Sequence, residues 1–214
     1  PREVIDLYES YPKVASESFF GELDNNIVIV DTETTGVSFE KDELIQIAAC
    51  KLKGGKVQDW YVTFVQPGKE LNDDISHLTG IYPEDLRGAP TPAEALAKLV
   101  EFVGDSMLVA HNAAFDKNFC TKHKEGLPLL ENLWIDSLDL SRVALPRFSG
   151  HRLIELGQAY QTSLGTHRAD DDVRSTAEIY RILIAGVSLL PNILLEELAS
   201  LAEINAWNKA IVFS

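Results

Sequence analysis

The chain has 214 residues, of which 45% are hydrophobic and 24% charged, the composition of an ordinary globular protein. Acidic residues outnumber basic ones 33 to 19, giving a net charge of -14. That balance argues against the broad basic surface by which proteins hold long duplexes, although a grip on one short strand end needs far less positive charge. No apolar run reaches the roughly 20 residues of a membrane span, and the first residues, Pro1-Arg2-Glu3-Val4-Ile5-Asp6, lack the basic start and apolar core of a secretory signal. The expectation is therefore a cytoplasmic protein without a membrane partner. The two cysteines, Cys50 and Cys120, sit in apolar surroundings and read as buried thiols of a reducing compartment. The chain opens on Pro1 without an initiator Met, so it is expected to be a piece of a longer protein.

Residues 1–26 are polar and acidic with scattered apolar positions, and read as an N-terminal extension with one short helix. Ile27-Val28-Ile29-Val30-Asp31 is a buried-strand run. Two further strands, at 44–50 and 57–65, are joined by Lys53-Gly54-Gly55-Lys56, a strong hairpin signal. Pro67 to Pro90 is loop-rich with short helical pieces. Thr91-Pro92 then opens a helix to Val103, with a capping residue followed by proline at the first helical position. A strand at Met107-Leu108-Val109-Ala110 precedes a helix over 113–124, and Leu133-Trp134-Ile135-Asp136 is a short fifth strand. Helices are predicted at 137–145, 151–160 and 169–186. Three meandering strands followed by alternating helices and strands imply an α/β fold, a mixed sheet flanked by helices. Residues 27–187 form the expected domain, and 188–214 a C-terminal helical segment.

Three separated motifs carry four carboxylates: Asp31-Thr32-Glu33-Thr34-Thr35-Gly36, His111-Asn112-Ala113-Ala114-Phe115-Asp116, and His167-Arg168-Ala169-Asp170-Asp171-Asp172. Carboxylates repel one another and resist desolvation, so a fold that gathers several usually does so around hard divalent cations. Two such ions can activate a water and stabilise an oxygen leaving phosphorus. This reading points to a metal-dependent phosphodiesterase. Asp31 and Glu33, two apart on a strand, share one face, and Gly36 permits a sharp turn away from them. Asp116 falls in the first turn of a helix and would aim back at the strand ends, where open sheets place their sites; helix capping is the competing role. His167 lies just before the next helix, and Asp172 is expected in that helix's second turn. His111 reads as an ordinary loop hydrogen-bonder, and Asp170 and Asp171 as charges that favour a helix N-terminus.

With these motifs in this order, the chain resembles the DEDD exonucleases, in the subgroup whose last motif has His five residues before Asp. The likeness is greatest to the proofreading epsilon subunit of bacterial DNA polymerase III and related exonuclease domains, including those fused to helicases, and runs from about Ile27 to Gly186. His77-Leu78-Thr79-Gly80-Ile81 also resembles a family segment beside the 3′ nucleotide. The resemblance implies a ribonuclease H-like fold with a central mixed five-stranded sheet. It implies that Asp31, Glu33, Asp116 and Asp172 hold two Mg²⁺ or Mn²⁺ ions, and that His167 is the general base, an imidazole being one of the few groups suited to that task near neutral pH. It further implies that Thr34, Val37, Thr79, Asn112 and Phe115 hold the terminal nucleotide through backbone or side chain. The implied reaction releases nucleoside 5′-monophosphates from a 3′ end, with single-stranded DNA the favoured substrate, in replication proofreading or repair. A polymerase or helicase domain or subunit is the implied partner.

Two alternatives stand beside this. Ribonuclease T and oligoribonuclease resemble the same fold and motif set, and only recognition of the 2′-OH separates an exoribonuclease from a DNA enzyme. A non-catalytic module docking to a polymerase or helicase would be favoured by loss of a ligand, whereas all five residues are present. In the C-terminal segment, Leu194, Leu198, Leu201 and Ala202 share one helix face, and Ile204, Trp207 and Ile211 continue the stripe on a rotated face. This stripe fits either a helix folded onto the domain's own core or a connector to a further domain.

Overall fold

The computed structural model describes residues 26–187. The N-terminal extension and the C-terminal apolar stripe lie outside the described residues. In chain order the elements are β1 (Ile27–Thr34), β2 (Leu44–Lys53), β3 (Lys56–Phe64), α1 (Asp73–Thr79), α2 (Pro83–Leu86), α3 (Pro92–Val103), β4 (Met107–Ala110), α4 (Ala113–Cys120), a 3-10 helix (Lys124–Leu130), β5 (Trp134–Asp136), α5 (Ser137–Ala144), α6 (Leu153–Tyr160) and α7 (Ala169–Val187). The strands form one sheet in the order β3-β2-β1-β4-β5. β2 is antiparallel to both β1 and β3, while β4 runs parallel to both β1 and β5. The expected mixed five-stranded sheet is thus observed.

Local chemistry accounts for the punctuation. Gly54 and Gly55 turn the β2–β3 hairpin with φ of 55° and 68°, the left-handed pair that a tight primed turn demands. Thr91 caps α3, accepting from the Glu94 N–H while the Glu94 carboxylate reaches back to the Thr91 N–H, and Pro92 fills the first helical position. α4 stops at Cys120, short of the predicted 124, for two reasons. The Thr121 hydroxyl bonds back to the Lys117 carbonyl at 2.7 Å, and the chain then doubles back so closely that Gly126 has no room for a Cβ beside the Cys120 carbonyl. The segment that follows winds as the 3-10 helix around Pro128.

The sheet is covered on both faces. Ile27 and Ile29 of β1 pack with Val173, Tyr180 and Leu183 of α7. Val28 and Val30 pack on the other side with Leu96 and Leu99 of α3 and Phe119 of α4. These residues are almost wholly buried, each such aliphatic side chain contributing about 1.5–3 kcal/mol relative to exposure. Alternation along β1 carries this division to its end. Asp31 and Glu33 continue the row facing α7, and Thr32 and Thr34 the row facing α3 and α4. β1, β4 and β5 all end at the same edge of the sheet, where the first two motifs emerge. Both cysteines are buried free thiols, as expected. Among the described residues no helix is long and apolar enough to cross a membrane.

Candidate active site

β1 runs three residues past the predicted Asp31 because its pairing with β2 continues to Thr34↔Leu44, with a register shift after Glu33. Both carboxylates therefore stand on ordered strand. α7 lies across the same face and delivers Asp172 from its first turn, not the second as expected, because the helix begins at Ala169. Single carboxylate oxygens of Asp31, Glu33 and Asp172 all lie within 4.8 Å of one another. Asp116, buried in the first turn of α4, approaches from the other side. Its Oδ1 accepts a 2.8 Å hydrogen bond from the Thr32 hydroxyl, and its charge acts on both Asp31 and Glu33.

The electrostatics follow from burial and crowding. Burial first, and then the charges of Asp116, Asp172 and Glu33, hold the Asp31 carboxyl well above its ordinary range. Burial with the charges of Asp172 and Asp116 pushes Glu33 up to about 8. Burial raises Asp116 to about 7, against the opposing hydrogen bond from Thr32. Asp172 rises to about 6, chiefly by burial, with His167 working in the opposite direction. Clustered, buried carboxylate oxygens are the donor set that hard divalent ions take. The residues present fit such ions, and binding would return all four groups to the ionised form.

His167 is exposed and adopts φ of 58°, a conformation uncommon for a side chain with a Cβ and often found at functional sites. With Asp172 it lines a cleft of about 440 Å³ that also includes His111, Asn112, Leu138 and Arg152. A second hollow of about 350 Å³, lined in part by Pro67, Leu71 and Arg87, contains none of the motif carboxylates.

The other motif residues divide by position. Asn112 lines the cleft in the left-handed region at φ 71°, which Asn tolerates better than most. Val37 is 88% exposed beyond the end of β1. Phe115 is half-buried and stacks at a tilt on Phe119, ring centroids 4.9 Å apart. Thr34 and Thr79 are buried, with hydroxyls spent on the carbonyls of Gly36 and Ile75, so what they can offer a ligand is mainly backbone. His111 is the loop hydrogen-bonder expected. One ring nitrogen meets the Ser137 hydroxyl at 3.0 Å and the other the His151 carbonyl at 2.9 Å, and burial pushes its pKa down to about 4. Asp170 stands in the first turn of α7 beside Arg168, and Asp171 accepts from the Thr166 hydroxyl. The chain does bend at Gly36 as expected, but what calls for glycine there is space. Its φ is not left-handed, and a Cβ there would collide with the Asp42 carboxylate, which is itself held by Thr35, Ser38 and Lys69.

Three organising residues escaped the reading of the sequence. Thr32 lies inside the first motif, between the two carboxylates. Asp136, at the end of β5, accepts from the N–H groups of Asn112, Ala113 and Leu138 at 3.0, 3.1 and 2.9 Å, so one carboxylate starts both α4 and α5. Gln46 is a buried polar residue in the otherwise apolar run 44–50 of β2, and that interruption was the visible clue to it.

An exonuclease family model matches residues 28–180. A DNA polymerase III PolC-type of Caldanaerobacter subterraneus subsp. tengcongensis is 34% identical over 214 residues, covering 95% of this chain and 15% of that protein. A protein of the same name from Clostridium perfringens is 41% identical over 160 residues, 74% of this chain and 11% of that one. The chain therefore spans only a small part of the length of these relatives. Among solved structures, exonuclease X in complex with 5′ overhanging duplex DNA superposes with TM-score 0.60 at 20% identity, covering 88% of this chain and 99% of that one. Exonuclease I superposes with TM-score 0.63 at 18% identity, over 81% of this chain and 43% of that one. The likeness extends to architecture: the fold is ribonuclease H-like.

Proposed function

The chain belongs to the exonuclease family, and from that premise we propose that it is a metal-dependent 3′→5′ exonuclease acting on DNA, working as the proofreading module of a larger polymerase. The observation that carries the reading is the convergence of Asp31, Glu33 and Asp172 within 4.8 Å, with Asp116 alongside and His167 next to Asp172 at the mouth of a cleft. Two Mg²⁺ or Mn²⁺ ions held by the four carboxylates would supply the charge that acidifies a water and neutralises the leaving oxygen. A ring nitrogen of His167 takes the proton of that water as its oxygen attacks the terminal phosphodiester phosphorus. The P–O3′ bond breaks, the released 3′-oxygen gains a proton from solvent, and a nucleoside 5′-monophosphate departs. Asn112 in the cleft and the backbone at Thr34, Val37 and Thr79, with Phe115 nearby, position the last nucleotide.

DNA is preferred to RNA as substrate because the polymerase relatives are DNA enzymes by name and the exonuclease X structure holds duplex DNA. A polymerase setting accords with relatives many times longer than this chain. The test is digestion of 5′-labelled single-stranded DNA and RNA oligonucleotides of one sequence, with Mg²⁺ or Mn²⁺ and with EDTA. A ladder shortening from the 3′ end of DNA, absent in EDTA and in Asp31→Ala, is the expected result. Undiminished cleavage in EDTA overturns the mechanism, and faster cleavage of RNA overturns the substrate assignment.

A further inference from the structure

Gln46 lies directly opposite Glu33 in the antiparallel pairing of β1 with β2, on the face that carries the carboxylates. It is 1% exposed in a strand whose neighbouring positions are apolar. Burying a polar side chain there is unfavourable unless its hydrogen bonds are made. They are made to one place. Its Oε1 accepts from the Ala169 N–H at 3.1 Å, and its Nε2 reaches Asp170 Oδ1 at 3.4 Å. Ala169 is the first residue of α7 and wholly buried. Its N–H is one of the donors that a helix cannot satisfy internally. Gln46 therefore caps α7 from the neighbouring sheet.

The consequence lies three residues further on. Ala169 and Asp172 are spaced i, i+3, on one side of the helix and about 4.5 Å apart along its axis. Anchoring the first residue fixes both the height and the rotation at which Asp172 meets Asp31 and Glu33. We propose that Gln46 is a positioning residue, holding α7 so that Asp172 shares a divalent cation with Asp31 and Glu33. The proposal rests on the metal reading of the site given above. A side chain that merely filled space in the strand would affect the stability of the fold and leave ion affinity alone.

The distinguishing experiment is calorimetric titration of Mn²⁺ into the 214-residue chain, alongside thermal melts, for the parent and for Gln46→Met and Gln46→Asn. Methionine keeps the volume and removes the acceptor. Asparagine keeps the amide and withdraws it by one methylene. The expected result is a Mn²⁺ dissociation constant raised about tenfold or more in both, the scale on which groups orienting metal ligands act. Should Gln46→Met melt below the assay temperature, Gln46→Asn decides. Parental affinity in Gln46→Met and Gln46→Asn overturns the proposal. A parent that takes up no Mn²⁺ overturns the metal reading itself, an outcome distinct from a parent that binds alongside variants that bind equally well.

Discussion

The hydroxyl of Thr32 donates a 2.8 Å hydrogen bond to Oδ1 of Asp116, joining residues 84 positions apart in the chain. Thr32 points to the sheet face opposite Asp31 and Glu33, so the same three-residue stretch of β1 supplies two carboxylates on one side and an orienting donor on the other. The bond lowers the proton affinity of Asp116 against the burial that raises it. Thr32→Val keeps the shape of the side chain and removes the donor. The expected outcome is a loss of about tenfold or more in kcat at fixed Mg²⁺, partly recovered at high Mn²⁺, with the melting temperature nearly unchanged. Steady-state rates across a metal titration check it, and parental rates at limiting Mg²⁺ would show the bond to be idle.

Removing a carboxylate should silence the enzyme without unfolding it. In Asp31→Ala or Asp116→Ala a member of a mutually repelling cluster is lost. Exonuclease activity should disappear while the melting temperature in EDTA holds or rises at pH 8, since the repulsion is relieved. Denaturation melts paired with a nuclease assay decide this, and a sharp drop in stability would mean the carboxylates support the fold directly.

The metal-free protein should lose stability as pH rises through the neutral range. Glu33, Asp116 and Asp172 bind protons up to about 8, 7 and 6 in the folded state, against ordinary values of 4.5, 3.8 and 3.8. Between those limits the folded chain holds more protons than the unfolded one, so the linkage relation makes stability fall as pH climbs. In EDTA the melting temperature should be lower at pH 8 than at pH 5 by on the order of 5–10 °C, the scale of a few kcal/mol for a domain of this size. Millimolar Mg²⁺ should abolish most of the difference by neutralising the same charges. Calorimetric scans at the two pH values, with and without Mg²⁺, measure it.

His167 is expected to serve proton transfer and not metal binding. It is exposed on the loop before α7 and shares the cleft with Asp172. His167→Ala should cut kcat by about a hundredfold or more, the usual scale for losing a general base, with Mn²⁺ affinity close to the parent's. If the variant binds Mn²⁺ weakly and recovers its rate at high Mn²⁺, the assignment to proton transfer is wrong.

What the sequence determined by itself was local in origin. The period of two in β1 puts Asp31 and Glu33 on one face whatever packs above them. Gly54-Gly55 specifies the hairpin, and Thr91-Pro92 with Glu94 specifies the start of α3, each through backbone geometry and hydrogen bonds between near neighbours. The three motifs, their order and the mixed sheet were legible for the same reason, since strand and helix periods are written within a few residues. Tertiary structure alone decided which groups complete the site. Gln46 meets Ala169 across 123 residues, Thr32 meets Asp116 across 84, and Asp136 meets Ala113 across 23. None of these pairings has a sequence period, because each depends on how a helix settles on the sheet. The close approach of Gly126 to the Cys120 carbonyl and the constraint on Gly36 belong to the same class. Both are set by another segment's backbone or side chain filling the available space, and close packing of that kind exists only once the chain has folded.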